Sequence, residues 1–349
     1  MPRELNVAVV GATGAVGRVF LEILEQRPFP INHLRLLASK RSAGTRVSVR
    51  GQELMVKEAT LDSFDGVDIV FISAGAGVSR QLAPTAVEKG ALVIDKSSAF
   101  RMAPTVPLVI PEVNGQDVED HQGIIATPNC STIQLVMALH PLHRVNPIKR
   151  VVVDTYQSAS GAGGGAINEL REQTRALSQG KSVTVEALPH QIAFNLFPHI
   201  DDFLPDGYTK EEEKMMAETR KVLHDQTIGI SATCVRVPVY TCHSEAVHLE
   251  FENPMDPREA SYLLNEMPGV TVMGDSAVDS YPMPWDLAGT DDVYVGRIRK
   301  DPSISNGLAM WIVADNLRKG AALNALQIAE EVLSRDCLEI RSPSASADV

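Results

Sequence analysis

The sequence has no excess of positive charge and few aromatic residues. Its 349 residues carry 32 Lys and Arg against 44 Asp and Glu, a formal net charge of −12, and Phe, Trp and Tyr together make up 5%. A surface of this sign repels nucleic acid and anionic membranes, so we expect neither as a partner. A local basic pocket for a phosphate is still compatible with this composition, and we expect small-molecule substrates.

Cysteine is scarce as well. The four cysteines show no C-x-x-C spacing, which argues against a common metal site, and we predict no metal. No signal-peptide pattern and no apolar run long enough to span a bilayer are present, so we expect a cytoplasmic protein whose thiols are reduced. A disulfide framework is not expected. The cysteines are Cys130, Cys234, Cys242 and Cys337.

The length predicts two domains, because 349 residues exceed what one ordinary core accommodates. A hydrophobic content of 44% and a charged content of 22% are those of a soluble globular protein. We place a cofactor domain at residues 1–127 plus 310–349 and a catalytic domain at 128–309. The last residues, 342–349, are expected to be disordered.

The N-terminal third alternates short apolar runs with helix-length segments. This alternation predicts right-handed βαβ units and a Rossmann-like, doubly wound parallel sheet of the α/β class. The predicted strands are 5–10, 34–38, 67–72, 91–95 and 123–126, and the predicted helices are 16–26 and 78–89.

A glycine-rich turn joins the first predicted strand to the first predicted helix. Glycines at this point allow a tight turn and let a diphosphate approach the N–H groups of the helix N-terminus. The spacing is G-x-x-G-x-x-G, and its position predicts a dinucleotide site, while a turn that serves only chain geometry is the alternative. The expected cofactor contacts in the turn are Gly11, Thr13, Gly14, Ala15, Val16 and Gly17.

After the second predicted strand, the acidic residue that would bind the ribose 2′-hydroxyl of NAD is missing. The chain has Ser39, Lys40, Arg41 and Ser42 at this point. Cations and hydroxyls suit a 2′-phosphate, so we predict NADP rather than NAD, with Ser39, Arg41 and Ser42 as contacts. The alternative is that these are solvated loop residues.

Cys130 stands where an apolar strand runs into a helix start. Asn129 before it is a good N-cap, and an apolar periodic stretch follows, so Cys130 should lie at a helix N-terminus. The unpaired N–H groups and the positive end of the helix dipole lower a thiol pKa there, and they can hold an oxyanion that forms on an attacked carbonyl. The pattern predicts a nucleophile, and a buried structural cysteine remains the alternative.

Beyond Cys130 the predicted strands become longer and alternate in polarity. This pattern favours a mostly antiparallel α+β second domain. A final helix at 321–334 is expected to return and pack on the first domain. The predicted strands are 150–158, 230–237, 246–251, 293–299 and 308–315, with a polar helix at 166–178.

Six motifs occur in order along nearly the whole chain. They are the glycine turn, Ser97-Ser98-Ala99-Phe100-Arg101, Pro128-Asn129-Cys130-Ser131-Thr132, Gln157 before Ser160-Gly161-Ala162-Gly163, Glu211-Glu212-Glu213-Lys214, and Arg236 with His243. Together they resemble the bacterial branch of the aspartate-semialdehyde dehydrogenases. Weaker resemblances to glyceraldehyde-3-phosphate dehydrogenase and N-acetyl-glutamyl-phosphate reductase leave Glu211, Lys214 and Arg236 unexplained.

The resemblance implies a reversible, NADP-dependent conversion of aspartate 4-semialdehyde and phosphate to 4-aspartyl phosphate. Reduction is the biosynthetic direction, toward lysine through diaminopimelate, methionine and threonine. A homodimer built through the second domain is also implied. In the oxidative direction a thiolate adds to the aldehyde, the thiohemiacetal loses hydride to the nicotinamide, and phosphate attacks the resulting thioester. Cys130 would be the nucleophile.

The resemblance also assigns roles to the other polar residues. His243 is expected to be the general base that takes the thiol proton. Arg236 suits the α-carboxylate of the substrate because a planar guanidinium binds a carboxylate with two parallel hydrogen bonds. Glu211 is then expected to bind the ammonium group. Gln157 would orient the substrate or the acyl intermediate.

Arg101 and Lys214 are expected to bind the phosphate. The alternatives are a loop charge for Arg101 and a surface ion pair with Glu211 for Lys214, one helical turn away. Further cofactor contacts are expected at Ser160, Gly161 and Asn316.

Two other functions remain open at this point. A relative without catalytic activity would bind NADP or a partner protein, but the chain keeps both Cys130 and His243, which such a relative would not need. A reductase of N-acetyl-glutamyl phosphate is the other alternative, and an acetylated amine would not need Glu211.

Overall fold

The computed structural model describes residues 4–274 and 280–339, in two compact units. One unit comprises Met1–Pro128 and Ala321–Val349, and the other comprises Asn129–Gly320. The second border therefore lies about ten residues later than the expected position of 310. The predicted disordered tail, 342–349, lies outside the described residues.

The first unit is built on a parallel sheet, as predicted, and the sheet has six strands, one more than the five expected. The strands of this unit are β1 (Leu5–Val10), β2 (Ile31–Ala38), β3 (Arg46–Val49), β4 (Gln52–Met55), β5 (Lys57–Glu58), β6 (Ile69–Ile72), β7 (Leu92–Asp95) and β8 (Ile124–Ala126). The order in the parallel sheet is β5-β2-β1-β6-β7-β8, which is the order of a doubly wound sheet, and β3 and β4 form a separate antiparallel hairpin.

The strand order of this sheet reverses next to β1, because β2 lies on one side and β6 on the other. In open α/β sheets a crevice for a ligand forms at the carboxyl ends of the strands at such a point. The glycine turn lies there. Gly11 has φ +86°, and a Cβ on it would lie 2.2 Å from the carbonyl oxygen of Ser73. A Cβ on Gly17 would lie 2.2 Å from the carbonyl oxygen of Gly11, so neither position has room for a side chain.

Three helices of the first unit precede residue 128. They are α1 (Ala15–Gln26), α2 (Ala76–Glu88) and α3 (Pro111–Asn114). α1 buries one face against the sheet, where the ring of Phe20 lies 4.4 Å from that of Phe71, centroid to centroid. Burying such an aromatic side chain is worth roughly 1.5–3 kcal/mol. This contact fixes the helix whose N-terminus borders the crevice.

The second unit contains a mixed six-stranded sheet of order β10-β9-β11-β14-β13-β12. Its three central pairings are antiparallel, and the two outer pairings, β9 with β10 and β12 with β13, are parallel. The α+β expectation is confirmed. The strands are β9 (Ile148–Gln157), β10 (Gly229–Arg236), β11 (His243–Phe251), β12 (Val270–Met273), β13 (Val293–Asp301) and β14 (Gly307–Ala314).

The helices of the second unit are α4 (Cys130–Val145), α5 (Gly164–Ser178), α6 (Lys210–Val222), α7 (Pro257–Asn265) and α8 (Pro284–Leu287). α4 is buried on nearly all sides from Ser131 to Leu139. A helix surrounded in this way is held by packing along its length, so its first residue has a fixed position. Across the described residues, no helix is both long and apolar enough to cross a bilayer.

The chain returns to the first unit through a π-helical turn, Arg318–Ala322, and α9 (Leu323–Ser334). α9 buries Leu326, Ile328 and Ala329 in the core of the first unit, as we expected of the final helix. The strand before it, β14, pairs with β11 and β13 in the second sheet. This pairing is why the second unit extends to residue 320.

Candidate active site

Cys130 is the first residue of α4, as predicted. Asn129 caps the helix, and its Oδ1 accepts a hydrogen bond from the N–H of Ser131 at 2.8 Å. The Cys130 side chain is partly exposed, whereas the other three cysteines are buried. A reactive thiol needs both access and an electropositive position, and Cys130 combines them.

The other cysteines have the properties of structural thiols. Burial raises the pKa of Cys234 well above its usual value, and the nearby carboxylate of Glu211 raises it further. Burial also raises the pKa of Cys242. Cys337 is 4% exposed. The alternative of a buried structural cysteine therefore describes these three and not Cys130.

Two carboxylates of α6 hold the start of α4. The Nδ2 of Asn129 donates to Glu211 at 2.9 Å, and the backbone N–H of Asn129 donates to Glu218 at 2.6 Å. Both carboxylates are buried. Glu218 was not predicted as a site residue, because no local pattern distinguishes it from the other charged residues of a polar helix.

A third carboxylate of α6, Glu212, acts as a structural group. It forms a capping box with Thr209 and accepts a hydrogen bond from the N–H of Cys234 at 2.9 Å. The S/T-x-x-E spacing of Thr209 and Glu212 is a signal that could have located the helix start. The capping box fixes the rotation of α6, so Glu211 and Glu218 face the start of α4.

Glu211 and Lys214 form an ion pair, with 3.2 Å between Oε2 and Nζ. Burial alone would raise the pKa of Glu211, but the charge of Lys214 and the hydrogen bond from Asn129 outweigh burial and lower it. Burial would likewise lower the pKa of Lys214, but Glu211 and Asp201 outweigh it and raise it. Lys214 also contacts Asp201 at 2.6 Å. Because Glu211 is 7% exposed, the pair is not a surface ion pair.

Gln157 and Arg236 end two adjacent parallel strands, β9 and β10, and lie opposite each other in the register. Both are buried. The Nε2 of Gln157 donates weakly to Glu211 at 3.4 Å, and the Nη1 of Arg236 donates to the carbonyl of Ser158 at 2.6 Å. Burial lowers the pKa of Arg236, whereas negative charge on Glu211 and Cys130 raises it. The guanidinium therefore lies within electrostatic reach of the predicted nucleophile.

His243 is the first residue of β11 and is fully buried. Its Nδ1 accepts a hydrogen bond from the backbone N–H of Ser158 at 3.1 Å. A Cβ built on Gly161 would lie 3.0 Å from the Nε2 of His243 and 3.0 Å from the Nη1 of Arg236. The two side chains thus border the same small space, and a glycine keeps that space open.

Other predicted cofactor contacts lie beside His243 in the second unit. The Oδ1 of Asn316 accepts hydrogen bonds from the hydroxyl of Ser160 at 2.9 Å and from the N–H of Cys242 at 3.0 Å. Gly320 was not predicted. A Cβ on it would lie 3.0 Å from the Cβ of Cys130, so this glycine leaves room for the thiol.

Arg101, the other predicted phosphate residue, belongs to the first unit. Arg101 is 5% exposed, and its guanidinium donates through Nη2 to the carbonyl of Lys96 at 2.7 Å. This hydrogen bond and the burial argue against a simple loop charge. The phosphate role of Arg101 remains a prediction.

The first unit contains a cavity of about 540 Å³ at the crevice. It is lined by residues predicted to bind the cofactor, and also by Lys40, Arg18 and Glu58. Ala15, Val16 and Gly17 do not line it; they form the first turn of α1, which carries no acidic residue. The predicted residues that line the cavity are Gly11, Thr13, Gly14, Ser39, Arg41 and Ser42.

The cavity fits a dinucleotide. The Gly11 and Gly17 positions leave the turn free of side chains, so a phosphate could approach the helix start, where backbone N–H groups attract anions. No group of His, Cys, Asp and Glu side chains that could hold a metal ion occurs in residues 4–274 and 280–339.

Family models match both halves of the chain. Residues 6–121 match the NAD binding domain of semialdehyde dehydrogenase, and residues 139–319 match the semialdehyde dehydrogenase dimerisation domain. Relatives match over nearly their whole length. The aspartate-semialdehyde dehydrogenase of Aquifex aeolicus is 54% identical over 93% of this chain and 97% of its own length. The aspartate-semialdehyde dehydrogenase of Bacillus subtilis is 51% identical over 95% of this chain and 98% of its own length.

This chain belongs to the aspartate-semialdehyde dehydrogenase family. It is therefore an oxidoreductase that uses a nicotinamide cofactor. Among solved structures, aspartate semialdehyde dehydrogenase II of Vibrio cholerae, complexed with ASA, matches with a TM-score of 0.93 and 44% identity over 95% of this chain and 99% of that one. The aspartate semialdehyde dehydrogenase of Candida albicans, with NADP, matches with a TM-score of 0.75 and 26% identity, over 96% of this chain and 100% of that one.

The difference in exposure among the cysteines generates a first prediction. Brief treatment of the native enzyme with iodoacetamide at neutral pH should alkylate Cys130 before any other cysteine, because the other three are buried. Peptide mass spectrometry measures the extent at each site. Denatured enzyme, in which all four should react, is the control. Equal labelling of Cys130 and Cys337 in the native state would refute the assignment of Cys130 as the reactive thiol.

Proposed function

We propose that this chain interconverts aspartate 4-semialdehyde and 4-aspartyl phosphate, with Cys130 as the nucleophile. One observation carries the proposal. A buried cation, Arg236, and a buried anion, Glu211, both lie around the helix start that carries Cys130. A zwitterionic amino-acid aldehyde needs one partner of each sign, and a thiol must attack its carbonyl carbon.

The proposed reaction has two stages, formation of a thioester on Cys130 and its cleavage by phosphate. The Cys130 sulfur adds to the aldehyde carbon, and the backbone N–H groups at the start of α4 favour the thiolate over the thiol. When bound, the nicotinamide accepts the hydride in the oxidative direction and supplies it in the reductive one. Phosphate then attacks the carbonyl of the Cys130 thioester, and the thiolate leaves.

Arg236 and Glu211 hold the amino-acid end of the substrate in this proposal. The Ser158 carbonyl takes one of the five N–H donors of Arg236, and the guanidinium presents the others to the α-carboxylate. Glu211 accepts from Asn129, Gln157 and Lys214, and its carboxylate has about four acceptor positions, so one is left for the ammonium. Gln157 supplies a neutral amide beside Glu211.

Arg101 and Lys214 supply positive charge for the phosphate. Lys214 already contacts the carboxylates of Asp201 and Glu211, so a bound phosphate would share this ammonium with them. Arg101 donates through Nη2 to the carbonyl of Lys96.

Substrate choice tests the proposed function. With phosphate and oxidised cofactor, the enzyme should oxidise aspartate 4-semialdehyde and reject N-acetyl-glutamate semialdehyde. Glu211→Gln should lower kcat/KM for aspartate semialdehyde about ten- to a hundredfold, because a charge-assisted contact with the ammonium is lost. Glu213→Gln, an exposed position two residues along α6, is the control and should behave as wild type.

Steady-state assays of both aldehydes with the wild type, Glu211→Gln and Glu213→Gln measure this substrate preference. Preferential use of the acetylated substrate by the wild type would replace this function with that of an N-acetyl-glutamyl-phosphate reductase. No turnover of either aldehyde would favour a relative without catalytic activity.

We also propose NADP as the cofactor. Ser39, Lys40, Arg41 and Ser42 line the crevice cavity, and Arg41 is exposed, which suits a 2′-phosphate. Glu58 lines the same cavity and is the one feature that would suit the 2′-hydroxyl of NAD. The cations outnumber this carboxylate, so the 2′-phosphate is favoured.

The cofactor proposal predicts a higher kcat/KM with NADP than with NAD. Arg41→Ala should remove most of that preference, about ten- to a hundredfold, because a charge-assisted contact is worth roughly 1.5–3 kcal/mol. Raising salt should weaken NADP use more than NAD use. Arg46→Ala is the control, since Arg46 pairs with Glu53 outside the cavity lining. Equal use of the two cofactors by the wild type would contradict the proposal.

Finally, we propose a homodimer assembled through the second unit, in the cytoplasm. The family model that matches residues 139–319 describes a dimerisation domain. The compartment follows from the chemistry, because the reaction needs Cys130 as a free thiol and the cytoplasm keeps thiols reduced.

A further inference from the structure

The carboxyl group of Asp95, at the end of β7, is fully buried and accepts three hydrogen bonds. Its Oδ1 accepts from the hydroxyl of Ser79 on α2 at 2.8 Å and from the backbone N–H of Ser97 at 3.0 Å. Its Oδ2 accepts from the hydroxyl of Ser97 at 2.8 Å. Both oxygens therefore have donors, as a buried carboxyl group requires, and the donors fix its orientation.

Ser97 extends this network along the chain. Its hydroxyl also accepts from the backbone N–H of Ala99 at 3.1 Å. On the other side, the N–H of Lys96 donates to the carbonyl of Ile72 in β6 at 2.9 Å. The segment that follows β7 is therefore tied both to the sheet and to Asp95.

The peptide group between Lys96 and Ser97 connects Asp95 to Arg101. Its N–H, which belongs to Ser97, donates to Asp95, and its carbonyl, which belongs to Lys96, accepts from the Nη2 of Arg101 at 2.7 Å. This peptide bond is trans, so the two groups lie in one plane and point in opposite directions. A rotation of the plane would disturb both hydrogen bonds together. Asp95 therefore sets the direction of the carbonyl that holds the guanidinium.

A guanidinium that is held in advance is a better anion ligand than a mobile one. Arg101 is almost completely buried, and its planar fork must face a phosphate to bind it with parallel hydrogen bonds. If the group is already oriented, less conformational freedom is lost on binding, and the difference is measured as affinity. Asp95 and Ser97 do not line the crevice cavity, so a change at either residue leaves the residues that form this cavity intact.

We propose that Asp95 is a positioning residue for phosphate binding, which acts through the Lys96–Ser97 peptide group to hold the guanidinium of Arg101 in its binding orientation. The inference rests on the proposed function for the phosphate role of Arg101. The contacts that link Asp95 to Arg101 do not depend on that role, so the two can be tested separately.

The link is tested without turnover by modification of arginine side chains with phenylglyoxal. In Asp95→Ala the peptide group loses its acceptor, and a guanidinium that leaves the Lys96 carbonyl becomes accessible to the reagent. Arg101 should then react about fivefold faster or more than in the wild type, as a site that opens locally does. Peptide mass spectrometry measures the rate, and the exposed Arg46 is the internal reference. Equal rates at Arg101 in both proteins would overturn the proposal.

Two further variants make the comparison specific. Asp95→Asn keeps an oxygen for the Ser97 N–H, so Arg101 should react at a rate between those of the wild type and Asp95→Ala. Ser79→Ala is the matched control, because it removes a hydroxyl from the same carboxyl group but leaves the peptide contact in place. If Asp95→Ala does not fold, Asp95→Asn must still exceed Ser79→Ala in this rate. Equal rates in those two variants would overturn the proposal.

Phosphate kinetics test the consequence. With saturating aldehyde and oxidised cofactor, Asp95→Ala should raise the KM for phosphate about tenfold and leave kcat within about twofold of the wild type. A purely structural defect would lower kcat through loss of active enzyme and leave this KM unchanged, and that result would overturn the proposal.

A double-mutant cycle shows whether Asp95 acts through Arg101. Arg101→Ala should itself raise the KM for phosphate, and adding Asp95→Ala should raise it little further, because the guanidinium to be positioned is gone. An equal increase from Asp95→Ala in both backgrounds would overturn the role of Asp95 alone. An unchanged KM for phosphate in Arg101→Ala would instead refute the phosphate role of Arg101 in the proposed function, and this inference with it.

Discussion

The site depends on how α4 begins. Cys130 is the first residue of the helix, and the side chain of Asn129, which lies in the same unit, caps it. The cap itself is worth about 1 kcal/mol, whereas a hydrogen bond to a charged group contributes about 1.5–3 kcal/mol. The bonds from Asn129 to Glu211 and Glu218 therefore hold the helix start more firmly than the cap alone. Because α4 is buried from Ser131 to Leu139, this start cannot shift without disturbing the core.

Anchoring a helix with buried carboxylates has a cost that other charges must offset. Removing an ion from water costs several kcal/mol unless the ion is paired and hydrogen-bonded. Lys214 and Arg236 offset the charge of Glu211, and the pKa of Glu211 lies below its usual value as a result. In the proposed function the same charges also bind the substrate. That proposal assigns substrate recognition to residues that stabilise the helix start, and it therefore couples the position of the thiol to the binding of the substrate.

Much of the fold follows from the sequence. The parallel sheet is predictable because β1, β6 and β7 are short, continuous apolar runs, as strands covered on both faces must be. The hairpin of β3 and β4 was not predicted, since its residues are largely exposed and lack a continuous apolar pattern. The division into compact units ends the second unit at Gly320, whereas the sequence favours a border at 310, because β14 is an apolar strand of the same kind as those in the first unit and only its pairing with β11 assigns it to the second sheet.

Some residues of the site were predicted from the sequence, and others depend on the fold. The helix start at Cys130 is visible in the sequence, whereas the roles expected of Arg236 and His243 depend on the resemblance to the family. Glu218 could not be predicted, because its contact with Asn129 spans 89 residues of chain. The contact between His243 and the backbone N–H of Ser158 could not be predicted either, since every residue except proline has such an N–H. Gly320 matters only through its distance from Cys130, which the fold determines.

The central claim, covalent catalysis by Cys130, is tested most directly by trapping the acyl enzyme. Enzyme mixed with aspartate 4-semialdehyde and oxidised NADP in the absence of phosphate should accumulate a thioester, since the group that removes the acyl chain is missing. Rapid acid quenching, digestion and mass spectrometry should find the aspartyl group on the peptide that contains Cys130. Addition of phosphate before the quench should remove it. Reduction of the cofactor in stoichiometric amount without an adduct at Cys130, or with an adduct at another residue, would contradict the account.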